Sequence, residues 1–197
     1  MNEMLKMVVV LTGLSLVSGG VLSYLEGSLK ERIENTILEK VQAPTLRQLL
    51  VGSENDPVAD RFKIGSGKDE KSFFVGIFDG APNIVVLEAF GNGYGDKVGL
   101  MVAIDVTTDK IMNVGVTTHA ETPGIGANAK DDPEFAALFE GLPVGEPILV
   151  KNDGGEISAM SGATVTSRAV CVAATSATKT YEALKPQVLE QIKGFSK

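Results

Sequence analysis

The sequence is short of the residues on which most site chemistry is built. It has one cysteine, one histidine, no tryptophan and three tyrosines in 197 residues. A single cysteine excludes an intramolecular disulfide, and one cysteine with one histidine cannot assemble a Cys/His zinc centre, so no metal site is expected. Cys171 lies in the apolar run 169–174 and reads as a small buried residue rather than a reactive thiol. Scarce aromatic side chains remove the stacking platforms that hold bases or sugars. Cations are also in deficit, with 18 Lys and Arg against 25 Asp and Glu, a formal net charge of -7. No basic cluster breaks that field, which repels polyanions, so no nucleic-acid partner is expected.

What is present begins with an uncharged stretch, Met7–Leu25. At 1.5 Å per residue it spans about 28 Å, close to the roughly 30 Å hydrocarbon core of a bilayer. A cleavable signal ends in an A-x-A-like site, and none follows here, so residues 1–25 read as an uncleaved anchor with its span at 7–25. Ser15, Gly19 and Ser23 recur every fourth residue and make a small-residue stripe on which a second membrane helix can pack closely. Lys6 precedes the span while Lys30, Arg32 and Lys40 follow it. A bare count of these charges favours a cytoplasmic domain, a weak signal for a long domain.

Residues 26–60 read as a helical stalk and linker. Leu29, Ile33, Ile37 and Val41 keep an i, i+4 rhythm, Pro44 is expected to break or restart the helix, and Leu46, Leu49 and Leu50 form a second short turn. Ser53–Asp60 is a polar linker. From Arg61 the period becomes β-like: runs at Phe73–Phe78 and Ile84–Phe90 flank a turn at 79–83, and runs at Val98–Val106 and Ile111–Thr118 flank another at 107–110. Short strands are expected at Ile148–Val150 and Glu156–Ala159, and helices at Pro133–Glu140 and Val165–Leu184, with a separate polar helical tail from Pro186. The fold class is α+β, a mainly antiparallel sheet with flanking helices over 61–197.

Three segments carry candidate chemistry. Ser161-Gly162-Ala163-Thr164-Val165-Thr166-Ser167 is a strand-to-helix turn whose hydroxyls suit it to capping, or to holding a phosphate at a helix N-terminus. His119-Ala120-Glu121-Thr122-Pro123-Gly124-Ile125-Gly126 follows a strand and lets backbone approach a flat ligand closely. Gly91-Asn92-Gly93-Tyr94-Gly95 is a third glycine-rich loop. Alone, each has a plain structural reading as a cap or a connection.

In this order behind a membrane span, the segments resemble the FMN-binding domain family, and within it the G subunit of the Rnf-type ion-translocating ferredoxin:NAD oxidoreductase complex. They are also similar to the C subunit of the sodium-translocating NADH:quinone reductase, and the resemblance covers nearly the whole chain. It implies that Thr164 carries FMN through a phosphoester made by a flavin transferase. It further implies that Ser161, Gly162, Ala163, Thr166, Ser167, His119, Glu121, Thr122, Pro123, Gly124, Gly126 and Tyr94 are cofactor-binding, with 121–126 lying against the flavin. The amides of Thr166, Ser167 and Arg168 are expected to receive the phosphate charge. Family members often carry Asp a few residues before the motif, where this chain reads Ile157-Ser158-Ala159-Met160 and its nearest acids are Asp153 and Glu156.

The expectation is therefore an electron-transfer subunit of a translocating complex, with no catalytic acid or base and no substrate turnover of its own. Its partners would be membrane and iron–sulfur subunits, and its flavin domain would lie outside the cytoplasmic membrane. The alternatives are the C subunit of the quinone reductase, which usually carries more sequence between span and flavin domain, and a non-redox anchoring subunit.

Overall fold

A long helix free of glycine-imposed breaks opens the chain. The computed structural model describes residues 2–195; Met1, Ser196 and Lys197, which belong to the expected anchor and tail, lie outside the described residues. The chain divides into two units, Met1–Lys40 and Val41–Lys197. In the first, α1 (Glu3–Ile37) buries none of its residues. Its apolar stretch is long enough to cross a membrane by length and composition. An exposed apolar helix of this length is stable in lipid, not in water.

The expected stalk and linker, 26–60, does not stay one piece. It divides at Lys40/Val41, and its second half belongs to the folded unit. A π-helical turn at Leu38–Gln42 leads into α2 (Ala43–Leu49), with Pro44 in its first turn. Proline there has no N–H to offer the preceding turn, and a widened turn accommodates that without ending the helix. Ala43, Leu46 and Leu49 are buried, so α2 is part of the core.

Five strands follow in sequence order as an antiparallel meander: β1 (Arg61–Ile64), β2 (Lys71–Phe78), β3 (Ala81–Asn92), β4 (Lys97–Asp105) and β5 (Lys110–Val116). The expected two pairs are thus one continuous sheet, with β1 added at its edge. Alternation sends Phe73, Val75, Leu87, Leu100 and Val102 to one face and Phe74, Val86, Met101 and Ala103 to the other; all nine are buried. Both faces are covered, because α5 (Thr164–Ile192) packs Ala169, Ala173, Ala177 and Tyr181 onto the first. Leu50 reaches the second face at Gly76, and Leu49 reaches it at Gly115. Each fully buried leucine or phenylalanine contributes roughly 1.5–3 kcal/mol.

Between β5 and α5 lie α3 (Asn128–Asp131) and α4 (Pro133–Ala137), shorter than the expected helix at 133–140. Asp132 caps α4 by accepting the Glu134 amide at 2.9 Å. The short strands expected at 148–150 and 156–159 reduce to one parallel bridge, Val150 to Ile157. The separate tail from Pro186 is absent too, because α5 runs through Pro186 to Ile192. Buried Val188 and Ile192 hold its last turns on the core, and Lys185 is tied to Asp109 at 2.5 Å just before the proline.

Candidate functional site

Glycine 162 sets the entry to α5. Its φ of +74° lies in the left-handed region that a side chain disfavours, and this turn delivers Thr164 as the first helical residue. The N-cap is Ala163, whose methyl cannot accept from first-turn amides, and no side chain caps the helix. The hydroxyls expected to cap it do other work. Ser167 Oγ donates to the Ala163 carbonyl at 3.0 Å and accepts the Met160 amide at 3.0 Å. Thr166 Oγ1 donates to the Glu121 carboxylate.

Among the described residues, the Thr164 hydroxyl is the one of these three without a hydrogen-bond partner, and it is half-buried at the surface. The first helical amide bond is Ser167 N–H to Ala163 at 2.9 Å. The amides expected to face a phosphate therefore move back by two residues: Ser167 is engaged, Arg168 lies deeper, and Thr164, Val165 and Thr166 are the uncapped donors. Arg168 also offers its guanidinium elsewhere, in a two-pronged pair with Asp153 at 2.6 and 2.7 Å. That pairing, first through its hydrogen bonds and then through charge, holds the Asp153 carboxyl below its usual range.

The two other candidate segments meet this turn through one side chain. Glu121, only 6% exposed, accepts the Tyr94 amide at 2.9 Å and the Gly95 amide at 3.0 Å on one oxygen and Thr166 on the other. Burial alone would raise its pKa. The Thr166 hydroxyl, the Gly95 and Tyr94 amides and the His119 charge outweigh burial and hold the carboxyl below its ordinary value. When its imidazole is neutral, His119 Nδ1 also accepts the Glu121 amide at 3.4 Å. Gly126 sits where a Cβ would meet both Glu121 and Thr166 at 2.8 Å, so the loop closes on the helix only with glycine there.

The structure thus brings the three sequence segments into one place, but with unequal exposure. Glu121, Gly126, Ala163, Thr166 and Ser167 are buried; Tyr94, Thr122, Pro123, Gly124, Ser161 and Gly162 are exposed, and His119 and Thr164 lie between. Ile125 and Val165, both nearly half exposed, add apolar surface on either side of the turn, with Ile125 3.7 Å from a Gly162 Cβ position. Sequence reasoning missed both, because a lone aliphatic residue in a polar loop carries no motif. The arrangement fits a flavin mononucleotide by its chemistry: an anion site of uncapped amides beside a free hydroxyl, flanked by apolar surface and by backbone of two glycine loops.

Comparison with known proteins follows the same lines. Residues 93–179 match the FMN-binding domain family. The chain is 34% identical over 139 residues to the G subunit of the proton-translocating ferredoxin:NAD(+) oxidoreductase complex of Clostridium ljungdahlii, covering 66% of this chain and 72% of that protein. It is 29% identical over 171 residues to the G subunit of the ion-translocating oxidoreductase complex of Methanosarcina acetivorans, covering 86% and 89%. In fold it resembles the crystal structure of Shewanella oneidensis NqrC, with a TM-score of 0.50, 24% identity, and coverage of 68% of this chain and 72% of that one.

Proposed function

The chain belongs to the G-subunit family of ion-translocating oxidoreductase complexes and carries its FMN-binding domain, and from that premise we propose that it is a membrane-anchored electron carrier with FMN esterified to Thr164. The observation that carries this reading is the Thr164 hydroxyl, unpartnered at the head of an uncapped helix while its neighbours Thr166 and Ser167 are engaged.

Thr164 Oγ1 would hold the FMN phosphate as an ester, its proton leaving with the nucleoside monophosphate of a flavin dinucleotide donor under the action of a flavin transferase. The uncapped Thr164, Val165 and Thr166 amides at the positive end of α5 would receive the ester's remaining negative charge, an interaction worth about 0.3–1 kcal/mol and up to about 2 where partly buried. Ile125 and Val165 would offer the cofactor apolar surface, and the backbone of 121–126 would border it. The bound isoalloxazine supplies the redox chemistry, and no side chain here is called on as a substrate acid or base. A tether that prevents exchange suits a relay rather than a diffusing coenzyme.

By the same reading the protein turns over no substrate of its own. It hands electrons between redox centres of membrane and iron–sulfur subunits in a ferredoxin:NAD translocating complex, with its flavin domain on the extracytoplasmic side. The test is intact mass and in-gel ultraviolet fluorescence of denatured protein made with an active flavin transferase. A mass gain of FMN less one water, lost with its fluorescence in Thr164→Ala, is the expected result. An unmodified wild-type mass overturns the covalent reading.

A further inference from the structure

The carboxylate of Glu121 is already satisfied before any ligand arrives. One oxygen accepts two backbone amides of the 93–95 loop and the other accepts Thr166 in the first turn of α5, with Gly126 pressed against both. Three of the roughly four lone-pair sites of this buried carboxylate are already used within the chain. It joins segments 27 and 45 residues away in sequence. Removing it would leave two amides and a buried hydroxyl unpaired and separate both glycine loops from the helix start.

We propose that Glu121 is a positioning residue for flavin attachment: it does not ligate the cofactor but clamps the 93–95 and 121–126 loops onto the α5 head, engaging Thr166 and leaving Thr164 as the hydroxyl free to react. The inference rests on the reading of Thr164 as the attachment point. Its physical core, the clamp, stands in the flavin-free chain as well and is tested there separately.

Glutamine distinguishes positioning from bulk. In Glu121→Gln the carbonyl still accepts the two amides and the amide group donates to the Thr166 oxygen, whose hydroxyl is free to rotate, so the clamp persists without its charge. In Glu121→Ala it is gone. Of the titratable groups on the packed elements, His119 of the same loop acts on Glu121; the 93–95 loop and α5 meet it with amides and a hydroxyl. Because the folded pKa lies below the unfolded value of about 4.3, ionisation stabilises the fold above that value, and the contribution is lost as pH falls through the folded pKa.

The experiment uses the full-length chain in detergent, first without flavin. Wild type is expected to unfold at a higher temperature than Glu121→Gln near pH 7, with the difference closing as pH falls through the lowered folded-state pKa of Glu121. Glu121→Ala, which lacks the three clamp bonds, is expected to melt below both, and melting of Glu121→Ala equal to wild type at every pH overturns the clamp whether or not flavin attaches. The second arm measures initial rates of flavin attachment by the transferase, well below all unfolding midpoints. Glu121→Gln should keep the wild-type rate within about threefold and Glu121→Ala should lose at least tenfold; a wild-type rate in Glu121→Ala, or equal losses in both variants, overturns the positioning role. A wild-type chain that accepts no flavin overturns the Thr164 reading instead, and the melting arm then decides the clamp alone.

Discussion

Three hydroxyls within four residues have three different jobs, and only the structure separates them. Ser167, fully buried, bridges the Ala163 carbonyl and the Met160 amide. Replacing it with alanine leaves the Met160 N–H without its acceptor, so Ser167→Ala should cost about 1–3 kcal/mol of unfolding free energy. Thr164 makes no such bond, so Thr164→Ala should leave the melting of the flavin-free chain within about 0.5 kcal/mol of wild type while abolishing attachment. Chemical denaturation of the two unflavinated variants checks the contrast; an equal loss in both would mean that Thr164 is also structural. The motif itself was legible in the sequence, since a glycine turn followed by hydroxyls is a local pattern. Which hydroxyl stays free was not, because the answer depends on Glu121, 45 positions from Thr166, and on whether the cap residue is Ala163 or a threonine.

At the scale of elements, alternation read out the long strands well and failed where the segment was short or charged. β1 is four residues with Arg61 and Lys63 on its outward face, too little pattern to distinguish from linker. The apolar spacing of α2 continues that of α1 and so reads as stalk; its burial is decided by the second face of the sheet, which no local pattern reveals. The sequence pattern reads as a separate polar tail at Pro186–Phe195, yet Val188 and Ile192 fasten the turns beyond the proline, and tertiary packing outweighs the missing hydrogen bond. The role of α2 predicts two outcomes. Leu46→Ala, at a fully buried position, should destabilise the folded unit by about 2–5 kcal/mol in a denaturant titration. A chain beginning at Val41 should be soluble, whereas one beginning at Arg61 would bare Phe74, Val86 and Met101 and should aggregate during size-exclusion chromatography. Equal solubility of both chains would show that α2 is dispensable to the core.

For the whole molecule, sidedness can be settled by an experiment that the chain's own scarcity of cysteine makes accessible. The exposed apolar residues from Met4 to Ile37 assign the first unit to lipid, but the lysines and arginines flanking it do not fix which side the second unit occupies. Cys171 is 2% exposed, and burial, helped by the Asp153 charge, pushes its thiol up to about 12, so almost no thiolate exists at neutral pH and the folded protein should stay silent toward maleimides. A cysteine introduced at exposed Glu190 on α5 therefore becomes the single reactive thiol. In intact cells, a membrane-impermeant maleimide should label Glu190→Cys fully and leave wild type unlabelled, as an extracytoplasmic flavin domain requires. Labelling that appears only after the membrane is opened would put the domain inside and reverse the orientation. Labelling of wild type would mean that Cys171 is reached by opening of the α5 packing against the sheet, and the burial on which the assay depends would then be wrong.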